Sequence, residues 1–160
     1  MATQTTPAGY HSVTPYLIVD NAAKALEFYQ KALNAKEMFR LPISGTTGGQ
    51  KISHAEIKIG DSQIMLSDES PEMDARSPKA LGGTPTSFMI YVEDVDKAFE
   101  QAVKAGGTPL QAVENQFWGD RTGTIVDPFG HKWTLGTHVE DVSPAEMQKR
   151  MEKRSLQQKH

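Results

Sequence analysis

Residues 17–34, LIVDNAAKALEFYQKALN, recur 73 positions later as residues 90–107, IYVEDVDKAFEQAVKAGG, without a gap. Six positions are identical: Val19/Val92, Lys24/Lys97, Ala25/Ala98, Glu27/Glu100, Lys31/Lys104 and Ala32/Ala105. Internal self-similarity constrains architecture more than any local signal, because each copy is one supersecondary unit. The repeat predicts two versions of one strand–helix–strands module within 160 residues, a length that suits one domain with a substantial core. Two such modules can enclose a pocket between them.

The local patterns agree with that reading. Val13 to Val19 alternates and is β-branched, which predicts a strand. Asp20 or Asn21 is a good N-cap, and Ala22, Ala25, Leu26, Tyr29 and Leu33 follow at helical spacing. Ala35 to Pro42 reads as a second strand, and residues 44–50, SGTTGGQ, as a flexible turn or loop. Residues 53–67 give two alternating runs around Gly60-Asp61, a two-residue turn of the kind hairpins favour. The second copy predicts a strand at 86–92, a helix at 94–105, a strand at 108–114 and a hairpin of 121–127 with 131–137. Ser143-Pro144-Ala145-Glu146 is a capping-box start for a helix to about Lys153.

The expected organisation is a loose N-terminus (1–10), a first module (11–68), a connector without strong pattern (69–85), a second module (86–141) and a C-terminal helix and tail (142–160). Each module reads βαβββ, with its helix covering one face of a curved mixed sheet. The fold class is α+β, one domain overall.

Charge and composition exclude several functions. The net charge is −3 and the sequence pI about 5.9, with both signs mixed along the chain, so no footprint for nucleic acid is present. The chain has no cysteine, which rules out disulfides, thiolate catalysis and cysteine-based zinc sites. Its apolar runs are too short for a membrane span or a signal peptide, and a cytoplasmic protein is the plain expectation.

The two strand–helix openings, with Ala25-Leu26-Glu27-Phe28-Tyr29 in the first, and the segment Asp127-Pro128-Phe129-Gly130-His131-Lys132-Trp133 together resemble the vicinal oxygen chelate superfamily, which includes glyoxalase I, ring-cleaving dioxygenases and bleomycin-resistance proteins. The resemblance covers about residues 11–140. Trp118-Gly119-Asp120-Arg121 and Thr137-His138-Val139-Glu140-Asp141 extend it to the PhnB-like branch. It implies a homodimer, and in metal-dependent members a divalent ion held by four His or Glu side chains, two from each module. The matching positions here are Thr14, Met65, Ser87 and Thr134. Such ions want imidazole or carboxylate. Three hydroxyls and a thioether are not that, so no metal or other cofactor is expected, and metal-dependent glyoxalase I or extradiol dioxygenase activity is disfavoured.

Strand alternation places His54, Glu56, Lys58, Gln63, Met65 and Ser67 on one face of the first hairpin, and Ile57, Ile59, Ile64 and Leu66 on the other. By the resemblance the polar face is the cavity side. His54 and Glu56, two apart, read either as a solvated pair or as a general base with its orienting partner. Arg121 is expected to share a face with Thr134, as an anion clamp or as a salt-bridge partner of Asp120 or Asp127. Trp118 reads as a stacking platform or as packing. Tyr16, Met65, Ser67, Ser87, Met89, Tyr91, Trp118 and Thr134 are the candidate ligand-binding set, with core filling as the alternative for Tyr16, Met65, Met89 and Tyr91. His131, Phe129 and Trp133 read as structural. His138, Glu140 and Asp141 either close the pocket mouth or anchor the C-terminal helix, and His11 carries no assigned role.

The functional expectation is a glyoxalase/bleomycin-resistance-like protein that binds a small, partly apolar ligand in an inter-module pocket without metal. The alternative is a lyase, isomerase or dioxygenase-type enzyme on a vicinal oxygen compound, with Glu56 as base, His54 as its partner and Arg121 as clamp. The methyltransferase label sometimes attached to PhnB-like proteins is rejected, since the chain lacks a dinucleotide fingerprint and repeating parallel βα units.

Overall fold

Asn21 begins the first helix by accepting a hydrogen bond from the Lys24 amide at 3.0 Å, and Asp94, 73 residues on, does the same for Lys97 at 3.1 Å. The computed structural model, which describes residues 3–45 and 50–157, carries this repeat through every element. The first module is β1 (Tyr16–Val19), α1 (Ala22–Leu33), β2 (Lys36–Pro42), β3 (Ile52–Ile59) and β4 (Ser62–Asp68). A short helix α2 (Pro78–Leu81) lies in the connector. The second module is β5 (Ser87–Tyr91), α3 (Val95–Lys104), β6 (Thr108–Asn115), β7 (Asp120–Val126) and β8 (Lys132–His138), and α4 (Pro144–Gln157) follows.

Each module folds into a four-stranded mixed sheet, ordered β1-β4-β3-β2 and β5-β8-β7-β6. In both, the opening strand pairs parallel with the last, Tyr16 opposite Met65 and Met89 opposite Thr134. The two pairs are equivalent positions of the repeat, so the matching of Met65 with Thr134 read from the sequence holds in the backbone. No helix among the described residues is long and apolar enough to cross a membrane.

Several local expectations change. Pairing in β1 begins only around Pro15, whose carbonyl accepts from the Met65 amide at 2.9 Å. Proline has no amide hydrogen to extend the ladder toward Val13. Residues 7–10 are not loose. A turn closed by the Tyr10 amide on the Pro7 carbonyl (3.1 Å) brings Tyr10 against the first sheet. Residues 46–49 of the expected 44–50 loop lie outside the described residues. The connector has structure: Ser77 is fully buried, caps α2 through the Ala80 amide, and gives its own amide to Glu69 at 2.9 Å. Ser77-Pro78 is an N-cap followed by proline at the first helical position, a signal present in the sequence. The last helix runs to Gln157, held to the body by Arg150, which binds Glu140 at 2.7 and 2.9 Å.

The apolar faces of both sheets are turned to the helices. Ile57, Ile64 and Leu66 of the first sheet and Ile125, Trp133 and Leu135 of the second are buried in one continuous core. α1 packs beside α3, and Gln101 of α3 donates to the Lys31 carbonyl and the Asn34 side chain at the end of α1, both at 2.8 Å. Asp127 ties the halves most firmly. One carboxyl oxygen accepts from Tyr29 of α1 (2.7 Å) and Trp133 (2.8 Å), the other from the Phe129 and His131 amides (2.9 Å each). His131 adds a second tie, its Nε2 donating to the Ile18 carbonyl at 2.9 Å. His131, Phe129 and Trp133 are therefore structural, as expected.

Removing one partner of a buried hydrogen bond to a charged group costs about 1.5–3 kcal/mol, and stranding several donors costs more. Tyr29→Phe is expected to destabilise within that range and Asp127→Ala by more than about 3 kcal/mol. Urea unfolding of both variants, read as midpoint shifts at constant slope, checks the order.

Candidate functional site

The two-residue turn at Gly60-Asp61 fixes the register of β3 against β4: Ile59 with Ser62, Lys58 with Gln63, Glu56 with Met65. Every second side chain therefore emerges on the polar face. His54 and Glu56 sit there side by side, His54 Nε2 at 3.1 Å from Glu56 Oε1. The other ring nitrogen, Nδ1, lies 3.0 Å from the Tyr16 hydroxyl. A carboxylate can only accept, so Nε2 carries the proton shared with Glu56. Tyr16, His54 and Glu56 thus form one hydrogen-bonded chain. The Tyr16 and Phe39 rings flank His54, at centroid distances of 5.6 and 6.3 Å.

Tyr10 completes this face and is the residue sequence reasoning missed, having placed it in a loose terminus. The turn-forming Pro7-Ala8-Gly9 ahead of it was the available signal. Its hydroxyl is buried and falls short of full hydrogen-bond geometry, yet it is the strongest influence lowering the Glu56 pKa, followed by His54. Proximity explains both facts, since a phenol at a carboxylate favours the charged form whether or not the angle is ideal. The same neighbourhood, burial first and Glu56 second, pushes Tyr10 up to about 12. Among the described residues two buried side-chain polar atoms lack a hydrogen-bond partner, the Tyr10 hydroxyl and Gln63 Oε1. Both belong to this part of the first sheet.

The expected ligand-binding set does not gather in one place within the chain. Ser87, Met89 and Tyr91 line a cleft of about 590 Å³ between the modules, together with Thr14, Gln63 and His11. Tyr16 and Ser67 line a second cleft of about 650 Å³, between the first sheet and the connector. Neither cleft includes Met65, Trp118 or Thr134. The reason is topological: the polar faces belong to two separate sheets whose shared core lies on the opposite, helix-covered side.

The four family metal positions divide in the same way. Thr14 and Ser87 share the inter-module cleft, which Met65 and Thr134 do not line. Thr134 is engaged with Thr124, oxygen to oxygen at 2.8 Å. Hydroxyls and a thioether do not suit a hard or borderline divalent ion. Among the described residues no group of three or more His, Asp or Glu side chains could hold one. The donor set does not fit the metal that the fold family implies.

Arg121 requires a correction. The turn centred on Phe129 pairs Thr124 with Thr134, but it also pairs Arg121 with Thr137, three residues from Thr134 and so on the opposite face. Arg121 points to the helix side, where it binds Asp96 of α3 through two bonds of 2.8 Å. Its partner is neither Asp120 nor Asp127, and it cannot clamp an anion on the Thr134 face.

Asp120 organises the open face of the second sheet instead. It is 5% exposed and accepts from Tyr91 (2.9 Å), the Trp118 indole (3.2 Å) and His138 Nδ1 (2.7 Å). Burial opposes its ionisation, but the hydrogen bonds from His138, Tyr91 and Trp118 outweigh burial and hold its pKa below the usual carboxylate value. Trp118 is thereby fixed in orientation, with a third of its surface open. Glu140 anchors α4 through Arg150. His138 faces Asp120 and Asp141.

The model of the Glyoxalase/Bleomycin resistance protein/Dioxygenase superfamily matches residues 9–135. An uncharacterized protein of Mycobacterium tuberculosis (strain ATCC 25618 / H37Rv) is 43% identical over 143 residues, 88% of this chain and 82% of its own length. A crystal structure from Pseudomonas aeruginosa superposes with a TM-score of 0.64 at 23% identity, covering 81% of this chain and 99% of that one. A PhnB protein from Bacillus cereus gives 0.61 at 17% identity, covering 79% and 99%. The two structures share the fold.

A carboxylate held below its ordinary value of 4.5 stabilises the fold above that pH and loses the contribution as pH falls through its folded-state value. Tyr10→Phe removes the larger support of Glu56. Its carboxyl carbon, followed by ¹³C NMR, is expected to titrate at higher pH than in the wild type, and the acid-side loss of stability to become shallower.

Proposed function

The chain belongs to the Glyoxalase/Bleomycin resistance protein/Dioxygenase superfamily, and we propose that within it the protein binds a small, partly apolar, oxygen-bearing molecule without a metal ion. The observation that carries this is Gln63 Oε1, a buried acceptor without a partner on the polar face of the first sheet. A buried polar group without a partner costs about 1–3 kcal/mol. Beside the Met89 and Tyr91 side chains of the inter-module cleft, it describes a site that gains from a ligand offering a donor and an apolar body. Gln63 also lines the inter-module cleft, whose volume is in the range of small-molecule sites. The likeness to a PhnB protein supports placement on that branch.

A second reading, an isomerase or lyase, rests on the chain Tyr16–His54–Glu56. There Glu56 would take a proton from a carbon beside a carbonyl, with His54 orienting it; Arg121 has no part. Tyr16, Phe39 and Leu41 are all more than a third exposed, which supports a homodimer that covers the open face of the first sheet.

Chelator-treated protein should show ligand-dependent melting shifts with members of a panel of catechols and α-hydroxy ketones. Binding is expected to weaken about ten-fold in Gln63→Leu, the scale of one lost hydrogen bond to a stranded polar group. Binding that appears only after a divalent ion is restored would contradict the metal-free reading. If a substrate is turned over, Glu56→Gln should cost on the order of 10²–10⁴-fold in rate. Sedimentation should give a dimer that Leu41→Glu dissociates.

A further inference from the structure

The second sheet carries a group that the proposed function leaves unused. The imidazole of His138 lies between two carboxylates, Asp120 at 2.7 Å on Nδ1 and Asp141 at 2.8 Å on Nε2. Carboxylates accept at both nitrogens, so both carry protons and the ring is an imidazolium. The hydrogen bonds to Asp141 and Asp120 raise its pKa accordingly.

The two carboxylates differ in every other respect. Asp120 is buried, on a strand, and saturated by Tyr91, Trp118 and His138. Asp141 lies beyond the end of β8, its side chain is fully exposed, and it makes no other bond among the described residues. Asp120 therefore supplies a fixed charge beneath the ring, whereas Asp141 only occupies the outward N–H and can leave at little cost. The nearby Glu140 is held by Arg150.

The surroundings define what could replace it. The rings of Tyr91, 63% exposed, and Trp118, 36% exposed, are oriented by the same Asp120 that holds His138. Two partly exposed aromatic rings anchored on the same carboxylate as the cationic ring match a planar ring bearing a carboxylate. We infer that His138 is the anion-binding group of a second ligand site, on the open face of the second sheet, and that the Asp141 carboxylate stands where the carboxylate of a small aromatic acid binds.

Benzoate is the probe and benzamide the uncharged control, with ¹⁵N-histidine NMR reporting on His138 Nε2 and the titration giving the affinity. Benzoate, and not benzamide, is expected to shift the His138 resonance. Asp141→Ala should tighten benzoate about three- to five-fold by removing an exposed competitor. His138→Gln should weaken it at least about ten-fold, the scale of a charge-assisted hydrogen bond. Glu56→Gln should leave it unchanged, which separates this site from the one on the first sheet. Unaltered or weaker binding in Asp141→Ala overturns the proposal, as does loss of binding in Glu56→Gln. Asp141 is exposed enough that its variant decides the matter even if His138→Gln does not fold.

Discussion

One carboxyl group joins what the repeat divides. Asp127 sits in the turn between the last two strands of the second module, yet one of its four donors is Tyr29 on the helix of the first. A buried acceptor that meets four donors must be placed accurately, because any shift strands several polar groups at once. The turn, the edge-on contact of Tyr29 with Trp133 at 5.4 Å and the packing of α1 beside α3 all rest on that placement. The core forms on the helix side of both sheets because this tie and the His131–Ile18 bond hold them there.

The helix-side core leaves the two polar faces open, and each develops its own chemistry on the same backbone. The first has a hydrogen-bonded relay ending in Glu56 and an unpartnered acceptor on Gln63. The second has a buried carboxylate that charges an imidazole. Neither face offers imidazole or carboxylate at the positions that the family uses for a divalent ion.

Much of this was legible in the sequence where periodicity alone decides. The 73-residue offset gave the topology, and a two-residue turn with strict alternation put His54 and Glu56 side by side. Arg121 shows how alternation misleads when one residue of parity is lost: the turn was located correctly, and the side chain still lies on the other face. Tyr10, Asp120 and Asp127 were beyond reach for a different reason. Each acquires its role from partners tens of residues away, through burial that no local pattern encodes. Ser77-Pro78 falls between these cases, since its capping signal was present but lay in a segment with no periodicity to draw attention to it.

The path of the N-terminal residues has a practical corollary. Because Tyr10 lies against Glu56, the Pro7–Tyr10 turn is part of how the polar face of the first sheet is built. The exposed C-terminal helix is attached mainly through Arg150, on the second module. Affinity tags, fluorophores and surface tethers therefore belong at that end, where they leave the polar face of the first module as the chain itself arranges it.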